Sequence, residues 1–518
     1  MTIREKLNLQ LAWKRYKKDL IEQSFSDHPF EAGLIEENLE HWLNRLAGKL
    51  DNYLPSRAEV INVDKPNYHL RPGTRLSTED GVIYQALLLS DIAVIQKKLA
   101  WSAAGQRFAH ILSEDQTSVS WCVNDFASWN NFRKASLNHI AQGYEYVVFA
   151  DVSAYFENIS LSRLHSDLKT FGVNDKVLNV LMTCLNRWAE PRNRGIPQGY
   201  RPSFILGEVY FDSVDRRLAN DGIVFCRYVD DMRIFCKTKQ DAISALHNLT
   251  ILLREKELNL QTAKSFILTA EEARVEIEGI VPVISELEGS LSAELEEIIG
   301  SSVEYATPSL IQSVLSEHEE SLKLKSLQLV FEKYFSVDQG EFNKSLFHYC
   351  LNRLGAAGDD FASERCLEIA VSQPQELKSI LQYFSKLTVV QSDLLDQLCD
   401  RFLRAKFISD HQTYLLLRHI WIDKIETDTS LKFARKCTKN GNLDDYTRDY
   451  ARAIIGASGD TSDLDALEAE YGRTTRLVSK ATILCSIGRM VKTRRNSVYS
   501  RATGEGELID YAIQRGKQ

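Results

Sequence analysis

The stretch CRYVDDMRIFC, residues 226–236, places two adjacent acids, Asp230 and Asp231, inside an otherwise apolar, strand-like run. Because Asp is common in tight turns, one interpretation is a pair of short strands joined by an acidic turn. The other interpretation is a hairpin tip that holds metal ions. The two acids by themselves favour the plain turn, so the choice depends on what the rest of the sequence supplies.

A third acid follows another strand pattern, in YEYVVFADVSAYFENI, residues 144–159. Asp151 ends this strand, where a buried and unpaired carboxylate would be costly without a metal ion or strong hydrogen bonds. Its alternative role is a helix N-cap, which Asp often fills. Two magnesium ions about 3.5–4 Å apart need carboxylates from separate segments of the chain. The metal-site hypothesis therefore requires Asp151 to lie beside the hairpin tip.

A loop rich in glycine and proline, GIPQGYRPS, lies between these two segments at residues 195–203. Its glycines allow the backbone to come close to a ligand, and Gln198 adds an amide donor and acceptor. Ser203 adds a hydroxyl at the start of a predicted helix. Alone, the segment is typical of a loop that leads into a helix, but the three segments in this order favour a binding site.

Four segments in this order resemble motifs A, B, C and D of reverse transcriptases: FADVSAYF (149–156), GIPQGYRPS (195–203), YVDD (228–231) and LNLQTAKSF (258–266). The resemblance spans roughly residues 60–285. It implies the fingers and palm of a right-hand polymerase, in which Asp151, Asp230 and Asp231 are catalytic and bind two Mg²⁺ ions, with Mn²⁺ as a substitute. The implied activity is RNA-directed DNA synthesis from dNTPs.

The same resemblance implies nucleotide contacts at seven further residues: Arg71, Arg75, Tyr155, Phe156, Gln198, Gly199 and Lys264. Phe156 would act as a steric gate against the ribose 2′-hydroxyl, with Tyr155 as the next candidate; its alternative role is core packing. Lys264 would serve as a proton donor or charge partner for the leaving pyrophosphate. Arg71 would grip the triphosphate, with Arg75 as a second candidate. The IEGI segment (277–280) falls where a primer grip is expected.

The sequence also departs from the family. Where the fingers motif usually has Asp-Arg before its helix, this chain has Gly81 after Asp80. One expected phosphate contact is therefore missing or is supplied elsewhere.

The predicted fold class is α+β, with fingers and palm built from an antiparallel sheet and helices, followed by an all-α, helical-repeat-like region. A chain of 518 residues is too long for one ordinary core. We predict an N-terminal helical extension (1–55), the fingers and palm (56–285) and a helical C-terminal domain (286–518), because acids and helical spacing dominate after residue 285. Residues 78–100 are predicted as one long helix and 273–284 as a strand.

Composition narrows the partners. The net charge of −8 means that nucleic acid must be bound by local basic patches, and WKRYKK (13–18) and GRMVKTRRNSVYSR (488–501) are candidates, each alternatively a solvated helix face or loop. The nine cysteines form no CxxC pair, and no apolar run reaches membrane-spanning length. With no signal-peptide pattern at the N-terminus, we expect a cytoplasmic protein without a membrane partner.

The N-terminal LAWKRYKKDL (11–20) and the long helical C-terminus resemble the abortive-infection and unknown-group reverse transcriptases of bacterial antiphage defence. That resemblance implies a homo-oligomer, trimeric or hexameric, and DNA synthesis primed by the protein itself or served by a noncoding RNA. Tyr499, flanked by basic residues, is a candidate priming nucleophile; its alternative is a surface-loop tyrosine packed on a helix. The alternatives for the whole protein are a catalytically silent RNA-binding scaffold and an RNA-templated RNA polymerase.

Overall fold

A computed structural model describes residues 3–23, 25–123, 125–278, 319–336 and 342–517. The chain divides into two compact units, each made of more than one stretch of sequence. The first unit comprises Met1–Asp27, Asn38–Ile61 and Pro72–Gly279, and the second comprises His28–Glu37, Asn62–Arg71 and Ile280–Gln518. The predicted segment boundaries stay a prediction, and the one at residue 285 lies outside the described residues.

The described elements are given in chain order. Residues 3–141 form α1 (Ile3–Lys6), α2 (Leu9–Gln23), α3 (Glu31–Glu37), α4 (Leu39–Lys49), β1 (Glu59–Asp64), β2 (Leu70–Arg75), α5 (Thr78–Ser90), α6 (Ile92–Leu99) and α7 (Asp125–Ala141). Residues 146–278 form β3 (Tyr146–Asp151), α8 (Tyr155–Asn158), α9 (Leu161–Phe171), α10 (Asp175–Trp188), α11 (Arg201–Asn220), β4 (Val224–Tyr228), β5 (Asp231–Cys236), α12 (Lys239–Glu255), β6 (Phe266–Thr269) and α13 (Ala270–Glu278).

A four-stranded antiparallel sheet, in the order β4-β5-β3-β6, lies at the centre of the first unit. β4 and β5 form the hairpin predicted for residues 226–236. Helices α7 and α13 cover one face through a buried apolar cluster, which consists of Phe132, Ile140, Val147, Cys226, Phe235, Ala273 and Ile277. Because side chains alternate along a strand, Asp151 lies on the same face of β3 as Val147.

The helix predicted over residues 78–100 is in fact two helices, α5 and α6, divided at Asp91. Asp91 has φ −120° and ψ 15°, and its carbonyl accepts the N–H of Val94 at 3.1 Å, so it begins α6. Its carboxylate accepts the backbone N–H of Asn174 at 3.3 Å. This contact from a distant part of the chain could not be read from the local pattern.

The strand predicted at the start of residues 273–284 was wrong, because residues 270–278 form helix α13. Thr269 and Glu272 form a reciprocal cap: the Thr269 N–H donates to the Glu272 carboxylate at 2.9 Å, and the Glu272 N–H donates to the Thr269 hydroxyl at 3.4 Å. This Thr-x-x-Glu arrangement starts helices and outweighs the short alternation of apolar residues that suggested a strand. Residues 279–284 lie outside the described part of the chain.

Every described element after residue 318 is helical. The helices are α14 (Glu319–Phe335), α15 (Lys344–Ala356), α16 (Ser363–Ser372), α17 (Leu377–Phe384), α18 (Gln391–Arg404), α19 (Asp410–Ile422), α20 (Asp428–Lys439), α21 (Asp445–Ser458), α22 (Thr461–Tyr471), α23 (Leu477–Ser486), α24 (Lys492–Ala502) and α25 (Glu507–Lys517). The helices from α15 to α21 form two series: α15, α17, α19 and α21 are one, and α16, α18 and α20 are the other. Within each series, every helix packs against the next member of that series. This stacking is typical of helical-repeat proteins.

The predicted fold class is therefore confirmed: an antiparallel sheet with helices, followed by a helical C-terminal region. No helix within the described ranges combines the length and the apolar character needed to cross a membrane.

Candidate active site

The strand register brings two of the predicted acids together. Asp151 and Asp231 are direct cross-strand partners at the end of the β3–β5 pair. The Lys264 ammonium nitrogen lies 3.9 Å from Asp151 Oδ1, and the Lys264 side chain is 69% exposed. Two carboxylates and one exposed cation thus meet at one end of the central β3–β5 strand pair, as the metal-site hypothesis required.

The charges around Asp151 and Asp231 favour the binding of a cation. Desolvation by the surrounding protein, and secondly the negative charge of Asp151, raise the pKa of Asp231, while Arg233 and Lys264 oppose the rise. Two like charges held at facing register positions repel each other, and a divalent cation between them would remove that repulsion.

Asp230 lies in the two-residue connection between β4 and β5, next to Val229. Val229 has φ +58°, a left-handed conformation that is strained for a β-branched residue. The Val229 carbonyl accepts a hydrogen bond from Arg227 Nη1 at 2.7 Å. Strain of this kind persists only where surrounding contacts enforce it, and it is concentrated at functional sites.

Arg227, the donor to the Val229 carbonyl, belongs to a buried ion-pair network. Its guanidinium is fully buried and donates to both carboxylate oxygens of Asp215, at 2.6 Å from Nη2 and 2.9 Å from Nε. Glu208 Oε2 lies 2.9 Å from the same Nη2, and the guanidinium sits 4.5 Å from the centre of the Phe211 ring. Both acids project from α11, so this buried network joins the β4–β5 hairpin to that helix.

Two further basic side chains lie beside Glu208 in this network. His110 Nδ1 lies 3.2 Å from Glu208 Oε1, and Arg107 Nε lies 3.9 Å from Oε2. Burial alone would raise the pKa of Glu208, but Arg227, His110 and Arg107 outweigh it and lower this pKa to about 2. Glu208 is therefore ionised at neutral pH.

Residues 195–199 pack against the segment that follows β3. The N–H of Gly195 donates to the Ile159 carbonyl at 2.8 Å, and the N–H of Ile196 donates to the Phe156 carbonyl at 3.0 Å. Gly195 has φ +88°, and an added Cβ would lie 2.9 Å from a backbone oxygen, so only glycine fits. The Gln198 N–H donates to the Thr74 hydroxyl at 3.1 Å, which ties the loop to β2.

These elements place the first, second and third motif segments around one end of the sheet. Residues 64–294 match a reverse transcriptase domain. The matching family model is described as Reverse transcriptase (RNA-dependent DNA polymerase), and it spans less than half of the chain. A comparison with curated proteins finds no match.

Solved structures that resemble the chain include two telomerases. One is telomerase from Candida albicans in complex with the TWJ fragment of telomeric RNA, with 11% identity, 72% of this chain and 67% of that chain covered, and a TM-score of 0.32. The other is apo telomerase from Candida tropicalis, with 9% identity, 93% and 74% coverage, and a TM-score of 0.32. These TM-scores are too low to establish a shared fold.

The two residues predicted to form the steric gate, Tyr155 and Phe156, lie in an aromatic cluster. Tyr155 is buried, and its hydroxyl donates to the Gly207 carbonyl at 2.6 Å, so this residue serves packing. Phe156 is half-buried, and its ring centre lies 5.6 Å from that of Phe204. An added Cβ at Gly207 would lie 3.1 Å from Phe156, so the glycine gives the ring its place.

The two arginine candidates differ in their placement. Arg75 is buried, and its guanidinium donates to the Phe25 carbonyl at 2.8 Å from Nη2, a structural role that does not support a nucleotide contact. Arg71 is exposed and belongs to the second unit. Gln198 and Gly199 are partly exposed, and Gly199 has φ +101°. Their predicted contacts with the nucleotide stay predictions.

The Asp80-Gly81 departure has a structural reason. An added Cβ at Gly81 would lie 2.1 Å from the Tyr16 ring, so any side chain at this position would collide with α2. Asp80 is buried and accepts the Tyr53 hydroxyl at 2.8 Å and the Ser56 N–H at 3.1 Å. This part of the fingers motif therefore serves packing in this chain.

The first basic stretch, residues 13–18, is largely internal. Arg15 is buried with its guanidinium 3.9 Å from the Trp121 ring centre, and Trp13 and Tyr16 are buried as well. In the second stretch, Arg494 and Arg501 pair with Glu468 at 2.7 and 3.1 Å. Arg15, Arg494 and Arg501 are therefore engaged within the protein, whereas Lys14 and Lys492 are exposed, and a nucleic-acid contact by either stretch stays a prediction.

Tyr499 lies on helix α24 rather than on a surface loop, and 1% of it is exposed. Its hydroxyl donates to the Leu484 carbonyl at 3.0 Å, and an added Cβ at Gly516 would lie 2.0 Å from that hydroxyl oxygen. Burial raises the pKa of Tyr499 to about 12. This enclosed, weakly acidic phenol does not support priming at Tyr499.

The site residues fit a magnesium centre in their chemistry. Carboxylate oxygens are the ligands that Mg²⁺ prefers, and one or two of them suffice because water and phosphate fill the other positions. Asp151 and Asp231 face each other, and Asp230 adjoins them in sequence. Within the described ranges, no group of three or more His, Cys, Asp or Glu side chains has metal-binding geometry. The facing pair, Asp151 and Asp231, therefore makes up only part of the proposed set of metal ligands.

The sequence interpretation missed the buried network of Arg227, Glu208 and Asp215. An arginine inside a predicted apolar strand was the available sign, because charged side chains are almost never fully buried unless they are paired. The partners on α11 could not be assigned, since their distance from Arg227 depends on how the helix packs on the sheet. For the expected primer grip, Ile277 is a core residue, and residues 279 and 280 lie outside the described part of the chain.

Proposed function

We propose that the protein is an RNA-directed DNA polymerase that adds deoxynucleotides to a growing 3′ end. The observation that carries this proposal is the register pairing of Asp151 with Asp231, with the Lys264 ammonium 3.9 Å from the Asp151 carboxylate. In the reaction, a 3′-hydroxyl gives its proton to solvent water, its oxygen forms a bond to the α-phosphorus of a dNTP, and the bond from that phosphorus to pyrophosphate breaks. Lys264 would give a proton to the departing pyrophosphate, since its exposed ammonium can reach past Asp151.

Two Mg²⁺ ions, or Mn²⁺ in their place, would be held by Asp151, Asp230 and Asp231. When bound, such ions neutralise the developing charge on the phosphates and align the attacking and leaving oxygens. The chain itself contributes the placement: β3 and β5 fix one acid each, and Arg227 fixes the turn that carries Asp230.

The test is incorporation of labelled dNTPs and NTPs by the purified protein, with RNA and DNA templates and with no template. RNA-templated incorporation of dNTPs that stops on addition of a chelator is the expected result. Preferential use of NTPs would support an RNA polymerase instead. Nucleic-acid binding without any incorporation would support the scaffold.

We expect Phe156→Val to relax sugar discrimination by about 10- to 100-fold, as judged from kcat/KM for dNTP over NTP. The ring is half-buried against Phe204, so its free edge can exclude a 2′-hydroxyl, and a smaller side chain would admit one. Differences of this size correspond to about 1–3 kcal/mol of steric discrimination. Phe204→Leu, which alters the supporting ring, is the matched control, and an unchanged ratio in Phe156→Val would exclude the gate.

The further proposals rest on the resemblance of the N-terminal and helical C-terminal regions to antiphage-defence reverse transcriptases. They are protection by abortive infection, a homo-oligomer such as a trimer or hexamer, and priming by the protein or use of a noncoding RNA. Because Tyr499 is enclosed, a protein primer would have to be another hydroxyl. Mass spectrometry of nuclease-treated protein, sequencing of copurified nucleic acid and light scattering address these points separately.

A defence role predicts lower phage plating on cells that carry the gene. The expected drop is about a hundredfold or more, and it should vanish in Asp230→Asn, because the proposal makes DNA synthesis the protective activity. Plating assays with the wild type, Asp230→Asn and an empty vector measure it. Equal protection by the inactive variant would contradict a catalytic basis for defence.

A further inference from the structure

The second unit contains a cleft of about 600 Å³ between α20, α21, α22 and the turn after α22. Its charged lining contains five basic and three acidic side chains: Arg435, Lys439, Arg448, Arg452, Arg473, Asp445, Asp463 and Glu470. Two acids outside the lining, Asp449 and Asp460, pair with Arg452 and Arg435, so the positive charge available in the cleft is that of Lys439 and Arg473.

Arg452 is nine-tenths or more buried and forms the fixed part of this cleft. Its side chain is 2% exposed, with Nη1 2.5 Å from Asp449 and Nη2 2.5 Å from Glu470. Its Nε–H is buried and has no hydrogen-bond partner among the described residues. The two carboxylates hold the guanidinium in one orientation beside the cleft.

Two further arginines are oriented by acids on the cleft wall. Arg435 donates to both oxygens of Asp463, at 2.9 and 2.6 Å, and Arg448 donates to Asp445 at 2.6 Å. Each guanidinium has five N–H donors, so these contacts fix its orientation and leave the Nη1 donors available. Held guanidiniums with spare donors lose little side-chain entropy when they bind a phosphate.

The remaining two cations supply the charge that is not already neutralised. Lys439 ends α20 and Arg473 follows α22; both are exposed, and neither has an ion-pair partner among the residues that the structure describes. The hydroxyls of Thr438 and Thr474 in the lining already donate to the backbone carbonyls of Arg435 and Glu470, at 3.1 and 3.0 Å. Oriented guanidiniums and two unpaired cations are together the donor set that binds phosphate oxygens.

The lining also indicates the kind of phosphate compound. The apolar part of the lining is aliphatic and consists of Ile455, Ala466, Leu467 and Ala469. Among the described residues, no aromatic ring on which a base could stack lines the cleft. Recognition would therefore act through phosphate and sugar and be independent of sequence. The volume exceeds that of a lone phosphate and lies in the range of pockets that take a nucleotide-sized group.

We propose that this cleft binds the phosphate backbone of a nucleic-acid chain, as a second contact outside the β4-β5-β3-β6 sheet. The choice of nucleic acid as ligand rests on the proposed function. Binding itself is measured without catalysis, so the two can fail separately. An inactive polymerase could still hold nucleic acid in the cleft, and an active one could leave the cleft empty.

The experiment measures binding of a fluorescent oligo-dT of about 12 nucleotides to the full-length protein by anisotropy, without dNTPs or divalent ions, across a salt series. We expect the double variant Lys439→Ala/Arg473→Ala to bind about tenfold more weakly at low salt. We also expect the slope of log affinity against log salt to become shallower by about 1.4, because two phosphate contacts are lost. Ultraviolet crosslinking and mass spectrometry should place wild-type adducts within residues 435–475.

The matched control removes the same charge outside the cleft, with Lys432→Ala/Lys406→Ala, both exposed residues of the same unit. Equal effects of the two double variants on affinity and slope would overturn the site, as would the absence of crosslinks at the cleft. Cleft-dependent binding of a mononucleotide, without cleft-dependent binding of the oligonucleotide, would overturn the assignment to a nucleic-acid chain. If the wild-type protein incorporates no nucleotides, only the polymerase proposal is overturned.

Discussion

Asp231→Asn is expected to lower nucleotide incorporation by about a thousandfold or more. Asn keeps the shape of the side chain but removes the charge that binds metal ions, and such ions supply several kcal/mol of transition-state stabilisation. A loss of about 4 kcal/mol corresponds to a factor of about a thousand in rate. Asp151→Asn and Asp230→Asn should behave alike. Primer extension with the purified variants measures the effect, and rates near those of the wild type would exclude the proposed catalytic role.

Folding stability separates this effect from simple unfolding. Desolvation and the Asp151 charge raise the pKa of Asp231 in the folded chain, so its ionised form disfavours folding once the pH exceeds its unfolded pKa. Asn resembles the neutral form. In metal-free buffer at pH 7, Asp231→Asn should therefore unfold at an equal or higher denaturant concentration than the wild type, and this difference should shrink in acid.

A matched control is Asp175→Asn, at an exposed position in the first turn of α10. Removing this charge should change stability by no more than about 1 kcal/mol through the helix dipole, and it should leave incorporation intact. A comparable loss of activity in both variants would show that the assay responds to charge alone and not to the site.

Arg227→Met is expected to be the most destabilising single change at the site, at about 3–5 kcal/mol. Methionine roughly fills the space but leaves Asp215 and Glu208 buried without their main partner, and an uncompensated buried charge is costly. The Val229 carbonyl also loses its donor, so the strained turn should relax and any folded fraction should incorporate nucleotides slowly. Stability is measured by denaturant-induced unfolding, with the first transition as the readout.

Two comparisons test this explanation. Arg163→Met breaks an ion pair with Glu257 in which both side chains are about half exposed, and it should cost less than about 1 kcal/mol. Adding Glu208→Gln and Asp215→Asn to Arg227→Met removes the orphaned charges and should recover part of the lost stability. If Arg227→Met unfolds like the wild type, or if neutralising both acids gives no recovery, the network does not hold the hairpin.

The amino-acid sequence by itself determined the strands, the hairpin and the order of the acids. Alternating apolar residues and a two-residue acidic connection are local features, so β3, β4 and β5 were predicted where they occur. The metal-site hypothesis required Asp151 to lie beside the hairpin, but the sequence did not say which hairpin strand pairs with β3. The sheet order β4-β5-β3-β6 decided that Asp231 is the partner of Asp151. Helical spacing after residue 318 likewise predicted the helical region.

Tertiary packing decided what the charged and aromatic side chains do. Arg75 and Arg15 look available in the sequence, yet both are buried, because backbone carbonyls from distant segments accept their hydrogen bonds. Tyr499 lost its proposed role in the same way, through a carbonyl in α23 and the close approach of Gly516. The network under the hairpin joins Arg227 and α11 to Arg107 and His110, and the cleft in the second unit forms where the consecutive helices α20, α21 and α22 pack together. Neither arrangement can be read from a local sequence pattern. Burial and pairing fix the availability of a charge, and both are set by residues that are not its neighbours in the chain.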